Sequence, residues 1–194
     1  MSYLVPPKGN PPVEIATYYK SGEGDLTNLP YLIPMGQEAL MEVGSSNWTE
    51  ISPSDSHPSI ELTSDFGIKF NKTGIYRVDC GFNINGNGTV SGTRGMTALF
   101  KLSDTAPDPT ASYYMPAAAF ANIAYNRFDL ALASGQNISL DPDYNATINV
   151  TTAGTTVYFY GYVTGGNSSL TSWFVRGNQY KLSTLSITRE GNSV

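Results

Sequence analysis

The residue types that carry most enzyme chemistry are scarce in this chain. His57 is the only histidine and Cys80 the only cysteine. His57 lies in a polar stretch bounded by Pro53 and Pro58, which predicts an exposed loop histidine rather than the base of a Ser-His-Asp site; no Gly-x-Ser-x-Gly elbow is present. Cys80 falls on the apolar face of an alternating stretch. Because a nucleophilic thiol needs an electropositive, partly exposed setting, this placement predicts a small core residue.

Metal and cofactor sites are not expected either. One histidine and one cysteine cannot complete a closed tetrahedral zinc site. Asp141-Pro142-Asp143 and the pair Asp104 and Asp108 offer carboxylates to calcium, but neither matches the Asp-x-Asp-x-Asp-Gly loop, so we interpret them as turn-forming acids. Sixteen acidic residues leave a carboxylate pair for glycoside hydrolysis open, because the spacing that matters there is spatial. We expect no catalytic residue, no cofactor and no metal ion, and hence no enzyme.

Composition and charge exclude further classes of protein. Charged residues make up 14% of the 194 residues, against about 25% in an average soluble domain. The net charge of −5 argues against a nucleic-acid-binding surface, which is basic. No apolar run reaches the length of a membrane span, and the N-terminus has no pattern of a secretory signal. The several Asn-x-Ser/Thr triplets are interpreted as a product of the Asn- and Thr-rich composition rather than as glycosylation sites.

The hydrophobic pattern predicts strands throughout. Apolar side chains alternate over residues 75–84 and again over 157–163, and no segment keeps a 3.6-residue apolar spacing. Asn85-Gly86-Asn87-Gly88 predicts a turn. Eight or more strands separated by turns indicate an all-β protein built as an antiparallel sandwich, a jelly roll or a barrel.

The first 44 residues differ from the rest. They contain six prolines, which favour extended chain, and predict an N-terminal arm with a short strand at Val13–Tyr19. Gln37–Val43 predicts a second strand, with one helical turn as the alternative. The domain organisation is therefore an extended arm at 1–44 and a β domain at 45–194. Such an arm lies along its own domain or grips a partner.

The strand at 157–163 is apolar or aromatic on both faces. Val157, Phe159 and Val163 point one way, and Tyr158, Tyr160 and Tyr162 the other, within a stretch from 144 to 175 that has no charged residue. One face fills the core, and the tyrosine face needs its own cover. A second subunit would supply it, since tyrosine is enriched at interfaces; another sheet or the N-terminal arm within the same chain is the alternative.

Two tryptophans suggest a different use of aromatic surface. Trp48 and Trp173, together with the many tyrosines, could stack on sugar rings, which would make the chain a glycan-binding module. The alternative is that both indoles pack in the core or in an interface.

Several segments, in order, resemble the C1q/tumour-necrosis-factor-like jelly rolls. They are Phe66–Val78, which contains Gly74-Ile75-Tyr76; Phe128–Leu140, in which Gln136 stands where that family usually has an acid; and Leu182–Thr188. The resemblance covers residues 48 to 190 in patches. It implies a jelly roll that assembles as a trimer and buries an aromatic-rich face.

The resemblance also guides the expected function. The family includes signalling proteins, spore-surface fibres and virion spikes or decoration proteins. A Pro-rich arm before a charge-poor jelly roll is most similar to the virion proteins. We therefore expect a homotrimeric capsid-decorating, fibre or spike protein of a phage or virus. It would be made in the host cytoplasm, contact itself through Tyr158, Tyr160 and Tyr162, and dock on a capsid protein through its arm. The alternative is a receptor- or glycan-binding module that uses Trp48 and Trp173. Neither reading involves nucleic acid or a membrane.

Overall fold

The computed structural model describes residues 13–20, 33–34, 38–41, 43, 45, 48–52, 57–89, 94–104, 106, 122–132, 137–141, 143–165, 172–176 and 183–192. This part of the chain is all strand, turn and loop. In chain order the strands are β1 (Glu14–Lys20), β2 (Ile33–Pro34), β3 (Glu38–Leu40), β4 (Trp48–Glu50), β5 (Ile60–Leu62), β6 (Gly67–Phe70), β7 (Gly74–Gly81), β8 (Asn83–Thr89), β9 (Arg94–Ser103), β10 (Asn122–Leu132), β11 (Asn137–Leu140), β12 (Asp143–Val150), β13 (Thr155–Gly165), β14 (Ser172–Arg176) and β15 (Thr184–Gly191). No helix in these ranges is long and apolar enough to cross a membrane.

The strands pair into antiparallel sheets. A five-stranded sheet has the order β12-β7-β15-β1-β4, and a six-stranded sheet has the order β10-β9-β13-β6-β5, with β3 also paired to β13. A four-stranded sheet, β11-β8-β14-β2, extends the first one, since β7 passes into β8 at Phe82. The edges β12 and β10 close one side of the sandwich, and β4 and β5 lie at the other.

The order of the long strands defines the fold. Eight strands carry most of the pairing, and in chain order they are β1, β6, β7, β9, β10, β12, β13 and β15. Counted this way, one sheet runs sixth, third, eighth, first, and the other runs fifth, fourth, seventh, second. Only the fourth and fifth are hairpin neighbours in one sheet, and every other step crosses between sheets. This is the strand order of a jelly roll, so the predicted all-β antiparallel sandwich is confirmed.

Aromatic rings fill the space between the sheets. Phe82 stacks on Phe100 at 5.0 Å between ring centroids and meets Phe159 edge-on at 5.5 Å, and Phe159 meets Tyr144 edge-on at 4.9 Å. Aromatic pairs favour offset and edge-to-face geometry, and such pairs stabilise the core beyond the effect of the area that each ring buries. The predicted inward face of residues 75–84 is confirmed, because Tyr76, Val78, Cys80, Phe82 and Ile84 are all buried.

The turn predicted at Asn85–Gly88 is wrong. These residues continue strand β8, where Asn85 pairs with Ser139 of β11 on one side and with Phe174 of β14 on the other. Asn-Gly is a turn signal for a chain segment without neighbours. Here a ladder on both edges supplies the backbone hydrogen bonds, which overrides the local preference.

Strands also form within the segment that the sequence assigns to the N-terminal arm. The predicted strands at 13–19 and 37–43 are confirmed as β1 and β3. β1 lies between β15 and β4 inside the five-stranded sheet, and β3 pairs with β13. Residues 1–12 and 21–32 lie outside the described part of the chain, and the boundary at residue 44 stays a prediction.

The β5–β6 hairpin has an unusual backbone at its tip. Phe66 has φ of 69°, in the left-handed region that non-glycine residues seldom adopt. Thr63 holds the tip closed, since its backbone N–H donates to the Gly67 carbonyl at 2.8 Å and its hydroxyl accepts from the Gly67 N–H at 2.9 Å. The Phe66 ring packs against the cluster of Leu40, Tyr158 and Tyr160.

Gly161 in β13 provides a test of the core packing. A Cβ at this position would meet Trp173 at 2.8 Å and Phe100 at 3.3 Å, besides the Met41 thioether. We expect Gly161→Ala to lower the free energy of unfolding by about 1–3 kcal/mol because the core is overpacked. Gly191→Ala is the control, since a Cβ there meets nothing within 4 Å. Equal denaturation midpoints for the two variants, measured by urea titration, would contradict this packing.

Candidate functional site

His57 lies in an enclosed site, so the prediction of an exposed loop histidine is wrong. Its side chain is 4% exposed, and the ring meets Tyr18 edge-on at 6.2 Å between centroids. Nε2 contacts the Glu50 carboxylate, and Nδ1 lies 3.3 Å from the Ile60 carbonyl oxygen. Ser52 donates to Glu50 rather than to the imidazole. Since both ring nitrogens are engaged by acceptors, neither serves as a base for Ser52, and no catalytic triad forms at this position.

A cluster of charged side chains closes one end of the sandwich. Glu14 of β1 is opposite Arg189 of β15 in register, and both are buried. One Glu14 oxygen lies 3.3 Å from Lys72 Nζ and 3.4 Å from Arg189 Nη1, and the other accepts from the Ser59 N–H at 2.9 Å and from the Ser59 hydroxyl. Arg189 also donates to the Thr73 carbonyl at 3.0 Å.

These contacts decide the ionisation of Glu14. Burial raises the pKa of Glu14, whereas the hydrogen bonds from Ser59 and Lys72 and the charge of Lys72 lower it, and the lowering prevails. Glu14 is therefore a carboxylate with four donors, which ties β1 to the Ser59 backbone, to the turn after β6 and to β15. Its role is structural because its oxygens are all occupied.

Of the remaining candidate residues, Asp108 lies outside the described part of the chain, and Cys80 and Asp141 have structural surroundings. Cys80 is buried in β7, and burial raises the pKa of its thiol well above the ordinary value, so it stays protonated. Asp141 accepts from Asn83, and Asp79 accepts from Asn145 and pairs with Arg77 at 2.8 Å. Within the described residues, no three His, Cys, Asp or Glu side chains lie close enough together to hold a metal ion.

The tyrosine strand is largely covered by its own chain. β13 alternates as expected, with Val157, Phe159 and Val163 in the main core. Tyr160 is 0% exposed and Tyr158 5%, in a second cluster with Leu40, and Tyr158 donates to Asp65 at 3.2 Å. Burial and the Asp65 charge raise the pKa of Tyr158. Of the three tyrosines, only Tyr162 keeps appreciable exposure. Their role at a trimer interface stays a prediction.

Both tryptophans lie inside the sandwich. Trp173 is 0% exposed and contacts the position of Gly161, and Trp48 is 3% exposed with its ring edge-on to Phe82 at 6.5 Å. Neither indole presents a ring face to solvent in this conformation. No observation on the described residues therefore favours sugar stacking at Trp48 or Trp173.

The outer face of the five-stranded sheet is a broad surface with little charge. We use this name for the side chains of its strands that point away from the core. They are Thr49 of β4, Ile15, Thr17 and Tyr19 of β1, Thr184, Ser186 and Thr188 of β15, Ile75, Arg77 and Asp79 of β7, and Asp143, Asn145, Thr147 and Asn149 of β12. Arg77 and Asp79 neutralise each other. Asp143 is the remaining charged residue of the set, and the other side chains are hydroxyl, amide or apolar.

An apolar patch lies at the β1–β4 edge of this face. Val13, Ile15 and Ile51 are the large hydrophobic residues in the described part of the chain that are strongly exposed, at 61%, 47% and 45%. Val13 directly precedes β1 and lies two residues before Ile15, and the Ile51 N–H donates to the Thr17 carbonyl at 2.7 Å, which places Ile51 beside Thr17 on the same face. We call Val13, Ile15 and Ile51 the β1–β4 patch. Sequence reasoning missed it.

Among known proteins, the chain is similar to solved structures alone in the three comparisons. No family model and no curated protein matches the chain. Among solved structures, it is similar to Eiger TNF from S. frugiperda, with 11% identity over 95% of this chain and 96% of that chain and a TM-score of 0.46. It is also similar to murine APRIL at pH 8.0, with 8% identity over 92% of this chain and 99% of that chain and a TM-score of 0.43. The similarity concerns the fold, and the jelly-roll assignment follows from the strand order of the chain itself.

Glu14 provides a test of the charged cluster. Because its pKa is below the ordinary 4.5, its contribution to stability is present above that pH and is lost as the pH falls through the lower, folded value. We expect Glu14→Gln to lower the free energy of unfolding by about 1–3 kcal/mol at pH 7. Below pH 4.5, the free energy of unfolding should fall less steeply in the variant than in the wild-type chain.

Glu61→Gln is the matched control for this test. Glu61 is half exposed and pairs with Lys69 at 3.5 Å, so its loss costs at most about 0.5–1 kcal/mol. Urea titrations at pH 7, 4.5 and 3 compare the free energies of unfolding of both variants with that of the wild-type chain. A Glu14→Gln chain as stable as wild type at pH 7 would show that the cluster does not hold β1.

Proposed function

We propose that this chain is a non-enzymatic structural and interaction protein that assembles as a homotrimer on the surface of a virus or phage particle. The observation that carries self-association is the β1–β4 patch, in which three large aliphatic side chains are exposed at the edge of a sheet face with little charge. Interface cores are depleted in charged residues, and exposed apolar patches on soluble domains mark association sites.

The outer face of the five-stranded sheet fits a second copy of the chain better than the tyrosine strand does. Tyr158 and Tyr160 already have cover from their own chain, so an interface there would have little area left to bury. On the outer face, the apolar side chains of Ile15 and Ile51 are exposed to solvent, and hydroxyl and amide groups lie beside them. We therefore propose that the contact between subunits lies on this face rather than at the tyrosines. Tyr162 remains a candidate residue at the edge of that contact.

The finer parts of the proposal have other supports. The number of three subunits comes from the resemblance of Phe66–Val78 and the later segments to C1q/tumour-necrosis-factor-like jelly rolls. A place on a virion surface is supported by the charge-poor, Asn- and Thr-rich composition and by the Pro-rich segment before β1. The absence of enzymatic chemistry is supported by the engaged nitrogens of His57 and the buried thiol of Cys80.

Introduction of positive charge into the apolar patch tests self-association. We expect the wild-type chain to show the mass of three chains by light scattering, and Ile15→Lys with Ile51→Lys to show the mass of one. Two charges on each copy would have to be desolvated in the contact, which weakens it by at least 100-fold. Ala153→Lys, in the exposed turn between β12 and β13, is the control and should leave the mass unchanged. A wild-type chain with the mass of one chain at every concentration would overturn the proposal.

Removal of residues 1–12 tests docking on a particle. This deletion ends before β1 and leaves every described strand intact. We expect the shortened chain to keep its oligomeric state and its thermal midpoint. It should lose at least 10-fold in affinity for the particle, measured by co-sedimentation with capsids of a candidate virus. A shortened chain that sediments with capsids as well as the full chain would place the docking contact elsewhere.

A further inference from the structure

The outer face of the five-stranded sheet has three charged side chains, Arg77, Asp79 and Asp143. Both oxygens of Asp79 are engaged within the chain, since Oδ2 lies 2.8 Å from Arg77 Nε and Oδ1 accepts from Asn145 Nδ2. Arg77 uses only Nε for this pair, and its Nη1 and Nη2 have no partner among the described residues. Because the side chain is 50% exposed, the guanidinium can donate to a second carboxylate.

Asp143 is an exposed carboxylate at the start of β12. It is opposite Gly81 of β7, and Gly81 is in turn opposite Thr184 of β15. A Cβ at Gly81 would lie 3.4 Å from Asp143 Oδ1 and 3.6 Å from Thr184 Oγ1, so the carboxylate borders a gap in this row of side chains. Within the described part of the chain, the Asp143 carboxylate has no hydrogen bond and no ion pair.

Arg77 and Asp143 are too far apart to pair within one chain. Arg77 is opposite Thr147, and Asp143 precedes Thr147 by four residues on β12. At the rise of an extended strand, these positions are about 13 Å apart along the sheet. The two side chains together do not span that distance, so each needs a partner from another molecule.

Burial of this face against a second copy would remove water from both groups. A carboxylate or a guanidinium that loses water without gaining a partner weakens an association strongly. Among the described side chains of the outer face, Arg77 is the one cation. A second copy brings the guanidinium that Asp143 lacks and the carboxylate that Arg77 can still accept, because both copies have the same face.

We propose that Arg77 of one copy pairs with Asp143 of the neighbouring copy, and that this pair sets how the copies are aligned. The proposal rests on the proposed function and names the residues that determine the geometry of its contact. The β1–β4 patch supplies apolar area, which is non-directional, whereas a charge pair fixes register. Asp143 lies on the edge strand β12 and Arg77 on the inner strand β7, so unlike parts of the face meet, as in a closed ring.

Exchange of the two charges tests the pair. We expect Arg77→Asp to weaken self-association at least 10-fold, measured by light scattering over a concentration series. Asp143→Arg should also weaken self-association when it is made alone. Added to Arg77→Asp, the same substitution should strengthen self-association at least 10-fold, because it restores opposite charges across the contact. An Asp143→Arg substitution that acts in the same direction in both chains would overturn the pair.

Asp104→Arg is the matched control for net charge. Asp104 is an exposed aspartate directly after β9 of the six-stranded sheet, away from the outer face of the other sheet. It changes the net charge of −5 by the same amount as Asp143→Arg does. We expect it to act equally on the wild-type chain and on Arg77→Asp, and a reversal of its effect between the two would overturn the pair.

The denaturation midpoint shows whether the recovery occurs between chains or within one. We expect urea titration to give Arg77→Asp the same midpoint with and without Asp143→Arg, since the two positions do not reach each other in one chain. A midpoint that recovers together with the mass would place the interaction within the chain and overturn the proposal.

The outcomes separate this proposal from the proposed function. A wild-type chain with the mass of one chain at every concentration overturns both. A wild-type trimer that Ile15→Lys with Ile51→Lys dissociates, but in which the exchange of charges gives no recovery, overturns the Arg77–Asp143 pair alone.

Discussion

The pairing of β1 with β15 is the contact on which the rest of the sandwich depends. It joins residues 14–19 to residues 184–189 in six consecutive register pairs, so it closes nearly the whole length of the chain. β15 in turn pairs with β7, and β1 carries β4. Contacts this far apart in sequence are slow to form because the loop entropy must be overcome first. The buried Glu14–Arg189 pair strengthens the same join at its end.

The strands were accessible from the sequence where side chains of two kinds alternate along the chain. Residues 75–84 have one apolar and one polar face, residues 157–163 have one apolar and one tyrosine face, and both segments form strands with the expected side inward. β1 shows the limit of that reasoning. Its pattern alone would bury Val13 and Ile15 and expose Glu14, but the sheet does the opposite, because Glu14 gains four donors from three other segments. No local pattern records those distant donors.

The same limit applies to the candidate sites. His57 follows proline and serine residues typical of an exposed loop, and its enclosure comes from Tyr18 and Glu50, which are 39 and seven residues away. The indoles of Trp48 and Trp173 are suited to sugar stacking by type, and only the tertiary fold shows that both face the core. The outer face of the five-stranded sheet was invisible to the sequence for the same reason, since it combines side chains from five strands.

The neighbouring positions of the β1 start and the β15 end have a mechanical consequence. Glu14 is opposite Arg189, so the chain enters and leaves the sandwich at one pole. Tension applied between these two points would peel the strands apart one register pair at a time, rather than shear all six together. The sandwich is therefore weak against a pull between its own ends. A tether attached at the start of β1 alone puts no tension on the β1–β15 pairing, and the opposite end of the sandwich then points away from the attachment.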